Sequence, residues 1–150
     1  MTPVLAIDPG ASGGLAWREA DGIVYAEKMP EGMTAQVDKL REFACEGCTA
    51  AIIEKTGTWF KGDHPSAACK FARHCGQIEA ALYALGIPFE EVAPGVWMRS
   101  MGTLPKVKQA RKNAIKEEMA RRYPHLKVIL GTADALGILT WYINKKEDSR

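Results

Sequence analysis

The spacing of apolar positions changes several times along this chain, and each change marks an element. "PVLAID", "GGLAWRE" and "GIVYAEKM" are short β-leaning runs separated by "PGAS" and "EADG". Both separators are turn chemistry, so the first thirty or so residues predict an antiparallel three-stranded meander. From about residue 33 to 44 the period becomes helical, with Val37, Leu40, Phe43 and Ala44 on one side. "TAAIIE" reads as a short buried strand, and a polar, glycine-containing loop, "KTGTWFKGDH", follows it. A long helix is predicted over about 65–85, ended by Gly86 just past its last turn. "IPFEEVA" is a fifth strand, and "PGVWMRSMGTLP" is a connector with room for one helical turn. A basic helix over about 106–122 and a last helix over about 132–144, with Thr132 as its N-cap, complete the pattern.

The order β-β-β-α-β-α-β-α-α feeds a meander into βαβ units. It predicts one α/β domain over 1–150, a five-stranded mixed sheet flanked by helices. At 150 residues, 47% apolar and 25% charged, the chain can bury a core of its own. No apolar stretch approaches the ~20 residues of a membrane span. The start lacks the basic and long apolar regions of an export signal, so the expected location is cytoplasmic.

Charge adds a second layer. The net charge is only +2, yet residues 99–127 hold nine basic side chains against Glu117 and Glu118, a local +7 that leaves −5 for the rest. Such a split fits one face built for a polyanion and another rich in carboxylates, although a solvated basic helix would show the same count. Cys45, Cys48, Cys69 and Cys75 do not form a disulfide framework. "CEGC" has the spacing of half a zinc site, but Cys69 and Cys75 fall on different faces of a helix and the other half is missing.

The carboxylates point further. Two of the predicted strands end on acids, Asp8 and Glu54. In "GTADALGILTWYIN", Asp134 shares a helix face with Gly137, Ile138 and Trp141, an apolar face that should press on the sheet. Alone, Asp134 could simply answer the helix dipole, as Asp8 could simply start a turn. Three acids at element ends facing one core would instead repel one another and call for a cation. Hard oxygen donors without His or Cys suit Mg²⁺, with Mn²⁺ as substitute. Two such ions ~4 Å apart are a known clamp for a phosphodiester.

"AIDPGASGGLAW", "IIEK" and "ADALGILTWYI", with "VAPGVWMRSMG" followed by "KVKQARKNAI", resemble in their order the RNase H-like nuclease superfamily. Within it they resemble the RuvC-type Holliday-junction resolvases, in the short form often encoded by bacteriophages. The resemblance spans almost the whole chain and lies in the ordered set rather than in any one motif. It implies an RNase H-like fold and a homodimeric, Mg²⁺-dependent DNA endonuclease, working in the cytoplasm of a bacterial cell. Such an enzyme makes paired nicks in a four-way junction and leaves 5′-phosphate and 3′-hydroxyl ends. Asp8, Glu54 and Asp134 match three catalytic, metal-holding acids of that family. A fourth ligand, Asp or His, usually stands three residues before the last acid, where this chain has Gly131. His125 is near in sequence but off that pattern.

For DNA contact the sequence offers Lys106, Lys108, Arg111, Lys112 and Lys116, of which Lys108, Lys112 and Lys116 form one i, i+4 stripe. The loop after Glu54 offers Trp59, Phe60 and Lys61. An aromatic there is expected to stack on an unpaired base at the junction centre, the alternative being a plug for the loop. The long helix, with Ala67, Ala68, Ala72 and Ala80, is the expected dimer surface. Two other functions fit parts of the pattern. Glycine-rich hairpins after an acid also hold nucleotide phosphates in actin-like ATPases and sugar kinases, which need two such domains. A non-catalytic or weakly catalytic branched-DNA-binding protein of the same fold would explain Gly131.

Overall fold

The computed structural model describes residues 1–57 and 64–149. Its elements are β1 (Val4–Asp8), β2 (Gly14–Arg18), β3 (Val24–Lys28), α1 (Met33–Cys45), β4 (Ala50–Glu54), α2 (Pro65–Ala84), β5 (Phe89–Val92), α3 (Pro94–Arg99), α4 (Lys108–Arg122) and α5 (Leu130–Glu147). The strands form one sheet in the order β3-β2-β1-β4-β5. β1–β2 and β2–β3 pair antiparallel, β1–β4 and β4–β5 parallel, so the meander and the βαβ units meet at β1. No helix among the described residues is long and apolar enough to cross a membrane.

β1 is central, and its side chains alternate between two cores. Leu5 and Ile7, with Leu15, Ala51 and Ile53, meet Leu40 and Phe43 of α1 and Ile78 and Leu82 of α2. Val4 and Ala6, with Ala16 and Ile52, meet Trp97 of α3, Ile115 and Met119 of α4, and Ala133, Leu136 and Ile138 of α5. The second face uses small residues at its centre, Ala6 paired with Ala16, which lets α5 lie close on the strands. Gly14 takes this furthest: a Cβ there would overlap the carbonyl oxygen of Gly131.

Three boundaries differ from the sequence pattern. The connector holds a six-residue helix, α3, started by Pro94 at N1. The basic helix begins at Lys108, so Lys106 lies in the preceding bend. The last helix begins two residues before the expected cap. Ile129 is extended at the N-cap, and Thr132 stands at N3, where its Oγ1 takes the Ile129 N–H at 3.2 Å. Thr132 is thus the returning half of a capping box rather than the cap itself.

Candidate functional site

Asp8 and Glu54 reach the same place by strand parity. Val4 and Ala6 face α5 on β1, so Asp8 does too; Ile52 faces α5 on β4, so Glu54 follows. The parallel register runs Val4↔Ala50 to Ile7↔Ile53, and one further step sets Asp8 beside Glu54. The chain then leaves β1 through Pro9 and Gly10, whose φ of 111° is left-handed backbone open to glycine. Gly13 N–H donates to Gly10 O at 3.0 Å and closes the turn.

Asp134 comes from the helix laid over these strand ends. It is the fifth residue of α5, and no acid occupies that helix's first turn. The dipole therefore does not account for it, since that effect fades within the first turn. Burial raises the Asp134 carboxyl above the usual range, and the charges of Lys112 and Arg111 pull it back. Asp8 is pushed up to about 8, first by burial, then by the charges of Asp134 and Glu54, with Lys112 opposing. Glu54 rises to about 6 through burial, opposed by a hydrogen bond from Trp97, with Asp134 adding repulsion. Asp134 thus acts on both other acids and Glu54 on Asp8, which makes the three carboxyls one electrostatic unit.

The donor set is hard oxygen, and the mutual repulsion is of the kind a divalent cation relieves. Among the described residues, however, no three His, Cys, Asp or Glu side chains are grouped closely enough to hold a metal ion by themselves. Mg²⁺ does not need such a group: it keeps several waters and takes one or two carboxylates together with substrate phosphates. Asp8 with either neighbour meets that requirement. Gly131 offers no side chain, although a Cβ there would stand at ordinary contact, 3.4 Å from Ser12 O. His125 cannot substitute, because its Nε2 pairs with the Val24 carbonyl oxygen at 2.8 Å, at the other end of the sheet.

Of the basic residues, Lys112 and Arg111 are the two whose charges reach the acids. Arg111 also donates to the Lys106 carbonyl at 3.0 Å, tying the bend before α4 to the helix. Lys106, Lys108 and Lys112 are exposed and Lys116 is half-buried. Trp59, Phe60 and Lys61 lie outside the described residues. Ala67, Ala68, Ala72 and Ala80 of α2 are all exposed. A concavity of about 710 Å³ lies at the opposite end of the strands, around Val4, Arg18 and Ala50, away from the acids.

The sequence pattern did not single out Trp97. Its indole is fully buried, and Nε1 donates to Glu54 Oε2 at 2.7 Å. The one hint was Gly137 in the middle of a helix: a Cβ there would lie 2.6 Å from the ring's Cζ3. Cys75, buried on α2, also stands near enough to Asp8 to feel its charge.

No protein-family model matches the chain, and no curated protein matches it. Solved structures do. Thermus thermophilus RuvC in complex with a Holliday junction substrate superposes with a TM-score of 0.59 at 18% identity, covering 97% of this chain and 96% of that one. A second Thermus thermophilus RuvC structure gives 0.57 at 16% identity, with 97% of each chain covered. The chain has the RuvC-like, RNase H-like fold, a mixed five-stranded sheet with flanking helices.

Proposed function

We propose that this protein is a Mg²⁺-dependent endonuclease that nicks four-way DNA junctions and leaves 5′-phosphate and 3′-hydroxyl ends. The observation that carries the reading is the convergence of Asp8, Glu54 and Asp134, from β1, β4 and α5, on one face beside Lys112 and Arg111. Buried acids whose charges oppose ionisation at Asp8 and Glu54 have no evident structural use, and adjoining cations suit a phosphate backbone. A bound Mg²⁺ or Mn²⁺ would supply an activated water and stabilise the leaving oxygen. Asp8 is the central holder, with Glu54 and Asp134 on either side. Lys112 and Arg111 fix the phosphate, while Lys106, Lys108 and Lys116 extend the contact along the DNA. Trp59 or Phe60 would stack on a base at the crossover, with Lys61 alongside. The fold shared with a RuvC whose structure includes a Holliday junction substrate supports branched DNA as the substrate class.

A homodimer belongs to the same reading, since symmetric nicks need two sites, and the exposed alanines of α2 are the proposed contact. A second reading, a branched-DNA-binding protein with little or no cleavage, is favoured by Gly131 at the usual fourth-ligand position. One assay separates the two. Mg²⁺-dependent nicking of a synthetic four-way junction, lost in Asp8→Asn while binding persists, supports the nuclease. Tight junction binding with no nick in the wild type would sink it in favour of the binding protein.

A further inference from the structure

We propose that Trp97 is a positioning residue for Glu54: its indole N–H holds one carboxylate oxygen so that the other is presented to the cation. This rests on the nuclease reading above.

Indole nitrogen can only donate, and a buried one needs an acceptor. The fully buried Trp97 finds it in Glu54 Oε2 at 2.7 Å. Among the described residues Trp97 is the one hydrogen-bond donor to Glu54, and Oε1 takes none. A glutamate at a strand end has three rotatable bonds, and a single charge-assisted bond at this distance removes most of that freedom.

The donor itself is well anchored. Lys55 N–H donates to Val92 O at 2.7 Å, joining the end of β4 to β5 directly beyond Glu54. One residue separates β5 from α3, where Pro94 fixes the first turn and Trp97 follows on the inner side. On its other edge the ring lies against Gly137, where a Cβ would meet Cζ3, Cε3 and Cη2 at 2.6, 3.1 and 3.4 Å. Gly137 is three residues after Asp134, so it lies one turn along the same side of α5. One indole therefore ties the acid on β4 to the helix that carries the acid on α5. A phenylalanine would fill only part of that space and donate nothing.

Two variants separate the donation from the packing. Trp97→Phe keeps most of the ring and deletes the N–H; Gly137→Ala keeps the N–H and pushes the ring away. Each is compared with wild type in Mn²⁺ binding followed by electron paramagnetic resonance, in the Mg²⁺ dependence of single-turnover junction cleavage, and in metal-free junction binding. Trp97→Phe is expected to weaken Mn²⁺ binding and raise the half-saturating Mg²⁺ about tenfold, with metal-free junction binding unchanged. Gly137→Ala should shift both in the same direction. In the ¹⁵N spectrum of the wild type, the Trp97 indole resonance should move in Glu54→Gln and on addition of Mg²⁺. That readout stands even if Trp97→Phe fails to fold. Unchanged Mn²⁺ binding in a folded Trp97→Phe, a wild type that binds no Mn²⁺, or an indole resonance indifferent to Glu54→Gln would overturn the proposal. If the wild type binds Mn²⁺, with the expected effect of Trp97→Phe, but cuts no junction, the nuclease reading fails and the positioning role stands.

Discussion

Gly14 of β2 and Gly131 of α5 touch through their backbones, with no room between them for a Cβ on Gly14. Gly14 pairs with Asp8 across the hairpin, and Gly131 lies one turn before Asp134. The contact thus sets the distance between two of the three acids. Gly14→Ala should force the start of α5 off the sheet, destabilise the fold by about 1–3 kcal/mol, and remove activity beyond what the stability loss explains. Gly95→Ala is the control, because a Cβ there meets nothing within 4 Å; it should be neutral. Urea unfolding of both variants checks this, and a Gly14→Ala protein as stable as wild type would contradict the packing.

The acids make metal-free stability depend on pH in a stated direction. Asp8 has a folded pKa of about 8 against an ordinary value of 3.8, so between these values the folded state holds the proton that the unfolded state releases. Stability from this group is present below pH 3.8 and is lost as pH rises toward 8. In EDTA, Asp8→Asn should therefore melt higher than wild type at pH 8.5, by about 3 °C or more. The gain should shrink toward zero near pH 4. Mg²⁺ should reverse the order at high pH, because only wild type can bind it fully. Melting curves at the two pH values, with and without Mg²⁺, read all of this.

Lys112 and Lys108 should separate in function although they share a stripe. The charge of Lys112 opposes the proton on Asp8 and on Asp134. Lys112→Ala should weaken junction binding, reduce the salt slope by about one phosphate contact, and move the pH midpoint of metal binding upward. Lys108→Ala should weaken junction binding and reduce the salt slope in the same way but leave the pH midpoint of metal binding unchanged. Equal pH midpoints in the two variants would remove Lys112 from the site.

The proposed dimer gives a fourth test. Ala72 lies exposed in the middle of the small-residue face of α2. Ala72→Arg should shift the sedimenting species to the monomer at micromolar concentration and uncouple the two nicks, leaving singly nicked junctions. A wild type that sediments as a monomer would remove the geometric basis of paired cleavage.

The strand-ending acids were readable because the code there is local. A β-run that stops on a carboxylate places it by parity, and both Asp8 and Glu54 follow their even-numbered neighbours onto one face. Asp134 was readable because an acid on an otherwise apolar helix face is out of place. The start of α5 was misjudged because Thr132 offers the same hydroxyl as cap or as N3 partner, and only the extended backbone of Ile129 decides between them. Trp97 was invisible for another reason. Its neighbours Glu54 and Gly137 are each about forty residues away in sequence, so no window along the chain brings the three together.

By itself, then, the sequence determined the order of elements and pointed to three candidate acids, because hydrophobic period and turn chemistry act over a few residues. Tertiary structure alone decided which acids share a field, which two cations reach them, and that an indole holds Glu54. Those are relations across α3, α4, α5 and the sheet, set by how closely backbones approach at Gly14 and Gly137. Distance in space governs charge and hydrogen bonding, and only the packed fold supplies it.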